Sequence, residues 1–309
     1  MQLLYALAEL RTPFLDALLG ALTNCGGELV FMAAAIIVFW CVSKSCGYYM
    51  LTVGFVGTIV NQFLKLVFRI PRPWVKDPDF QIVESARAEA TGYSFPSGHT
   101  QNVFASFGCL GRWTKRTWLR VVCALLIVVT AFSRMYLGVH TPLDVGVSFG
   151  IGLVLVFALY PLFRDIDSHP KRLYLLFGAM AVLGAAYLLF AELWPFPADV
   201  DAANLASGRK NAYTLLGAVL GMTFAYWLDR RYVHFDVRAV WWAQVLKTVL
   251  GLAITIGLRA ALKAPLLALC GGHNVANLIR YALMVIFAAG IWPMTFGWFG
   301  RLGRKKPAS

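Results

Sequence analysis

The stretch YSFPSGHT, Tyr93 to Thr100, sets Pro96, Ser97, Gly98 and His99 in a row just where a hydrophobic helix is about to begin. Read blandly, it is a helix start in which Pro96 pre-sets the backbone, Ser97 caps and His99 merely follows. Read sharply, it is an anion site with a titratable group beside it. The choice between them depends on the company this stretch keeps in the rest of the chain.

Of the 309 residues, 59% are hydrophobic and 14% charged. Soluble domains run at roughly 45–50% apolar and about 25% charged, so this is a membrane protein's composition. Cys25, Cys41, Cys46, Cys109, Cys123 and Cys270 lie in or beside apolar segments, without CxxC or Cys/His spacing. They argue for neither a disulfide framework nor a zinc site. The formal net charge of +13 is what basic cytoplasmic loops produce, so no nucleic-acid partner is expected.

Hydrophobic runs predict an all-α polytopic membrane bundle of about nine transmembrane helices, near 27–43, 48–66, 97–112, 119–137, 142–163, 173–193, 210–228, 239–258 and 276–297. Ahead of them, Met1 to Asn24 has no basic start, a Glu-Leu-Arg interruption and Pro13 in its middle, unlike a cleavable signal peptide. Leu3, Leu7, Leu10, Phe14 and Leu18 recur at helical spacing opposite Glu9, Arg11 and Asp16, which predicts an interfacial amphipathic helix over 1–26. The expected organisation is that helix, a five-helix core with the site over 27–166, and four further transmembrane helices over 167–309. Gly146 with Gly150, and Gly217 with Gly221, are small-residue pairs for which close helix packing is the first expected use and homodimerisation the second.

Basic residues give the orientation. Lys44, the run RWTKRTWLR, Arg164, Lys171, Arg172, Arg230, Arg231, Arg238 and the tail RLGRKKPAS fall on one side, which becomes the cytoplasm. The opposite side receives the loop from Leu66 to Phe95, the Arg134 to Thr141 turn and the connection WPFPADVDAANLASG.

Three scattered segments converge on that outer side. KLVFRIPRP carries Lys65 and Arg72, with Pro71 and Pro73 holding Arg72 extended; PSGH follows; SRMYLGVHTPLD carries Ser133, Arg134, His140 and Asp144. Each cation alone could be a snorkelling lipid anchor, Ser97 a mere cap, and His140 with Asp144 a satisfied polar pair. Together they are harder to dismiss, because membrane helices rarely gather Lys, two Arg, two His and an Asp at one depth without a site.

Phosphate recognition asks for guanidiniums, a lysine point charge and free N–H groups at a helix start. Lys65, Arg72, Arg134, Ser97 and Gly98 supply these, and Gly98, lacking a Cβ, lets the backbone approach an oxyanion. Two imidazoles beside such a cradle permit displacement at phosphorus, one attacking in line and the other protonating the departing oxygen. His140 has Asp144 one helical turn on, with Thr141 as N-cap and Pro142 as first helical residue; that carboxylate is expected to fix its tautomer and raise its basicity, as suits a nucleophile. His99 has no such carboxylate nearby in sequence, which makes it the acid. No metal or other cofactor is expected, because Asp77, Asp79, Glu84 and Glu89 are spread along the 66–95 loop and read as keeping it solvated.

These segments resemble the signature of the type 2 phosphatidic acid phosphatase superfamily: K-x6-R-P, then P-S-G-H, then S-R-x5-H-x3-D. Lys65 to Pro73, Pro96 to His99 and Ser133 to Asp144 fit without a mismatch. The resemblance covers about residues 27–163. It implies that Lys65, Arg72, Ser97, Gly98 and Arg134 bind phosphate, that His99 is the acid/base and His140 the nucleophile, and that Asp144 orients His140. It also implies metal-independent hydrolysis of a lipid phosphate or pyrophosphate on the extracytoplasmic side of a bacterial plasma membrane. The alternative from another class is a transporter or scramblase that uses the cationic pocket without turnover; binding alone needs cations, not an imidazole backed by a carboxylate. The lipid itself stays open among phosphatidic acid, phosphatidylglycerol phosphate, a polyprenyl pyrophosphate and a sphingoid-base phosphate.

Overall fold

The computed structural model describes residues 1–166 and 168–302, and all its regular elements are helical. In chain order these are α1 (Gln2–Glu9), α2 (Pro13–Thr23), α3 (Glu28–Ile37), α4 (Lys44–Phe68) and α5 (Pro73–Lys76). Next come α6 (Gly98–Val103), α7 (Cys109–Trp113), α8 (Thr117–Tyr136), α9 (Pro142–Arg164) and α10 (Pro170–Leu193). The last are α11 (Ala202–Leu228), α12 (Trp241–Ala261), α13 (Lys263–Leu269), α14 (Val275–Ile286) and α15 (Phe296–Phe299).

Six described segments are helical, long and apolar enough to cross a membrane: those built on α4, α8, α9, α10, α12 with α13, and α14 through α15. A seventh arises if α2 and α3, bent by 50° at Gly27, count as one. The chain is therefore an integral membrane protein, with six to seven candidate spans where nine are expected from hydrophobic runs. The shortfall has local causes. The 97–112 run breaks into α6, a wide turn over Phe104–Gly108 and α7, and it buries Thr100, Gln101 and Ser106 inside the protein. The 210–228 run is diluted by Asn211, Thr214 and Thr223.

The expected N-terminal interfacial helix is two helices. Pro13 opens the second, whose Thr12 cap accepts a hydrogen bond from Leu15 N. Leu3, Leu10, Phe14 and Leu18 are exposed, but Leu4 and Leu7 are buried. The polar face is not solvated as a free amphipathic helix would have it: Arg11 donates to the carbonyls of Tyr136 and Gln81, and Asp16 accepts from the Tyr136 hydroxyl at 2.9 Å.

The chain divides into two compact units. The first comprises Met1–Ala35, Tyr48–Asp165 and Phe196–Gly208. Within it Leu4, Phe80, Ile82, Ala86, Tyr136, Leu137 and Val139 form an apolar cluster that seats the 77–95 loop against α1 and the end of α8. The second comprises Ile36–Gly47, Ile166–Pro195 and the chain from Arg209 onward. In it Lys44 pairs with the buried Asp229 at 2.8 Å, and the buried Lys247 donates to the Trp40 carbonyl at 2.8 Å. Gly217 and Gly221 meet the backbones of Leu278 and Ala282, so this pair packs α11 against α14. Gly146 and Gly150 face open space instead. Asp167 and the basic tail from residue 303 lie outside the described residues.

Candidate active site

Lys65, Arg72, Ser97, Gly98, His99, Arg134, His140 and Asp144 all fall in the first unit. Local sequence explains how each is held. Lys65 lies in the last turn of α4, where its ammonium donates to the Tyr93 carbonyl. Arg72, between two prolines, is extended (φ −64°, ψ 154°), and its guanidinium reaches the carbonyls of Gly92, Thr91 and Val139 at 3.0, 2.7 and 3.0 Å. Ser97 caps α6, accepting from Thr100 N at 3.4 Å and Thr100 Oγ1 at 3.0 Å, while its own N–H donates to the Asp144 carbonyl at 3.1 Å. At Gly98 the space a Cβ would fill is open, which leaves room for a ligand against the backbone.

The turn after α8 joins Arg134 to His140. Its sharpness comes from Gly138 at φ +81°, a conformation in which other residues are strained. Both His140 N–H and Val139 N–H donate back to the Arg134 carbonyl. Thr141 and Asp144 then form a reciprocal capping box at the start of α9.

His140 is the hub. Its Nε2 lies 2.9 Å from Arg72 Nη1, and its Nδ1 lies 3.4 Å from Asp144 Oδ2. A guanidinium only donates, so Nε2 carries the lone pair and the ring proton sits on Nδ1, toward the carboxylate. Burial, followed by Arg72, Arg134 and Lys65, holds the His140 imidazole well below its ordinary value. Any upward pull of Asp144, expected from its place one helical turn on, is smaller than the combined effect of burial and the surrounding cations.

His99 brings a correction. A carboxylate does face it, because Glu89 Oε2 stands 2.8 Å from His99 Nε2. Glu89 thus does more than keep its loop solvated. His99 is pushed down to about 4, first by burial and then by Arg134, while Glu89 pulls it upward.

Arg134 is fully buried; its Nη1 donates to Thr23 Oγ1 at 3.0 Å, and its Nε and Nη2 have no partner. A guanidinium buried with two unused donors is costly unless an anion takes them.

Three contributors escape sequence reading. Ser94 Oγ donates to Asp144 Oδ2 at 2.6 Å; Thr23 holds Arg134 from 111 residues away; Glu89 reaches His99 from ten residues back across a loop. Only Ser94, beside the PSGH run, had a signal in its position, and no spacing rule marks it.

The PAP2 superfamily matches residues 44–167, and the family described as PAP2 superfamily phosphatase, transmembrane extension, matches 213–305. The undecaprenyl-diphosphatase BcrC of Bacillus subtilis is 33% identical over 125 residues, 39% of this chain and 61% of that protein. A probable sphingosine-1-phosphate phosphatase of Dictyostelium discoideum is 27% identical over 241 residues, 72% of this chain and 56% of that protein. Phosphatidylglycerophosphatase B of Bacillus subtilis is 25% identical over 178 residues, 53% of this chain and 80% of that protein. The chain thus spans only 61% and 56% of the length of the first two of these relatives. No solved structure matches. The first match encloses the whole signature from Lys65 to Asp144 and the second follows it, so the chain carries a PAP2 superfamily domain over residues 44–167 and a PAP2 transmembrane extension over 213–305.

Proposed function

We propose that this protein hydrolyses a lipid phosphate or pyrophosphate through a phosphohistidine, without a metal, at the extracytoplasmic face of its membrane. The observation that carries the reading is Arg134, wholly buried with two unpartnered donors beside two further cations and two imidazoles. A dianionic phosphoryl group satisfies those donors and the charge together. The phosphatase and diphosphatase names of the relatives support the same chemistry. The side rests on the distribution of basic loops.

The reaction follows from the tautomer. Nε2 of His140 attacks phosphorus as Arg72 Nη1 transfers from Nε2 to a phosphoryl oxygen. The bond to the departing oxygen breaks, and His99 gives that oxygen its proton, releasing the alcohol or, from a pyrophosphate, the lipid monophosphate. His99, now neutral, takes a proton from water as the water attacks the phosphohistidine, which frees inorganic phosphate and restores both rings. Asp144 holds Nδ1–H throughout.

Phosphate release from a panel of lipid phosphates in detergent tests the reading, with alkaline quenching to capture the phosphohistidine. The expected result is turnover that survives chelators, is blocked by vanadate and disappears with the phosphoenzyme in His140→Ala. Turnover retained in His140→Ala sinks the mechanism.

A further inference from the structure

In-line displacement fixes where the departing group must stand: opposite His140 Nε2, beside the proton donor His99. His99 is bound to Glu89, and Glu89 lines a cavity of about 440 Å³ together with Asp16, Gly20 and Ser85. Arg134 lines the same cavity, fully buried and with two donors unpartnered. The cavity therefore joins the buried cation Arg134 to the partner of the proton donor His99.

Its width is set by what is missing. A Cβ on Gly20 would already stand in van der Waals contact with Ser85 Oγ, at 3.9 Å, so a larger side chain there would run into the facing loop and narrow the cavity. Its polarity is set by two carboxylates. Asp16 Oδ1 accepts from the Tyr136 hydroxyl at 2.9 Å and Glu89 Oε2 faces His99, leaving the other oxygen of each for a ligand. Among the described residues Arg134 is the one cation in the lining, and Arg11 acts on Asp16 from outside it. A second phosphate placed here would meet two negative groups; a hydroxyl or an ammonium would find two acceptors.

We propose that this cavity holds the leaving group of a phosphomonoester, with Gly20 and Ser85 setting its width and Asp16 and Glu89 selecting a leaving group that carries a hydroxyl or ammonium over one that carries a second phosphate. The proposal rests on the phosphatase reading above.

The test uses the full-length protein in detergent with four probes: a long-chain alkyl phosphate bearing an amine beside the ester carbon, its amine-free counterpart, the matching alkyl diphosphate, and phenyl phosphate. The wild type is expected to prefer the amine-bearing monoester over the diphosphate by about tenfold or more in kcat/KM. Asp16→Asn, nearly isosteric, should shrink that preference about fivefold, the scale of one partly exposed charge pair. Gly20→Leu should lower kcat/KM for the long-chain monoester about tenfold more than for phenyl phosphate. Should Gly20→Leu fail to fold, Ser85→Leu, on the exposed opposite wall, makes the same obstruction. A preference for the diphosphate, or ratios unmoved by both the charge and the width variants, overturns the proposal and leaves the phosphatase reading standing. A wild type inert toward all four probes overturns the phosphatase reading and this proposal with it.

Discussion

Asp144 Oδ2 stands 3.4 Å from His140 Nδ1, and the same oxygen accepts hydrogen bonds from Ser94 Oγ at 2.6 Å and Thr141 N at 2.7 Å. One carboxylate thereby starts α9 and stands beside the imidazole that ends the preceding turn. The helix start fixes the carboxylate, and on the other side of the ring Arg72 Nη1, which can only donate, leaves the lone pair on Nε2.

Asp144→Asn keeps the shape but can present an N–H to Nδ1 and so disturb the tautomer. A loss of roughly 10²- to 10⁴-fold in kcat is expected, with KM little changed. Ser94→Ala removes one charge-assisted hydrogen bond and should cost about tenfold in kcat. Steady-state phosphate release, with helical circular dichroism as the folding control, measures both; full activity in Asp144→Asn would contradict the assigned role.

Arg134→Ala should lower kcat by about 10²- to 10³-fold, the scale of a lost preorganised oxyanion donor. Arg134→Lys should not restore it, because an ammonium cannot present Nε–H and Nη2–H in a fixed fork. Vanadate inhibition constants for the two variants should weaken in parallel with turnover. Recovery in the Lys variant would show that charge alone suffices.

The pH dependence turns on His99. Held at about 4 by burial and Arg134, it is neutral at pH 7. A bound phosphate dianion raises it, since opposite charge favours the imidazolium. As proton donor it must be protonated, so kcat falls as pH rises through its value in the complex. Glu89 raises that value, so Glu89→Gln should move the alkaline limb of the kcat–pH profile to lower pH. A limb that stays in place, or moves upward, contradicts the pairing.

In the second unit, Asp229 accepts from Lys44 Nζ at 2.8 and 3.0 Å and from Phe235 N at 3.3 Å, and it is 1% exposed. Asp229→Ala strands the Phe235 backbone donor and unpairs Lys44, whose side chain is 26% exposed and can hydrate. About 2 kcal/mol of stability should be lost, read as a lower thermal unfolding midpoint in detergent. A midpoint within a degree of wild type would show that the pair contributes nothing net.

The all-helical membrane class was legible because burial in lipid demands long apolar runs, and composition reports them directly. The number of spans was less legible. The 97–112 run is apolar enough to resemble a span, yet its Thr100, Gln101 and Ser106 are buried within the protein, and apolarity does not distinguish lipid from protein interior. Arg280, a cation in an apolar run, is likewise buried, with its Nη2 donating to Asn277 Oδ1 at 2.8 Å.

Sequence by itself marked the polar residues of the candidate site, because they stand out in an apolar chain on short spacings: Lys65 before Arg72, PSGH at a helix start, His140 one turn before Asp144. Tertiary structure alone decided what those residues experience. Thr23 on Arg134, Ser94 on Asp144, Glu89 on His99 and Gly20 across from Ser85 are contacts made by chain folding back over long separations. The balance of burial and cations that lowers His140 instead of raising it belongs to the same level, since a field is the sum over every charge in three dimensions and no spacing along the chain encodes that sum.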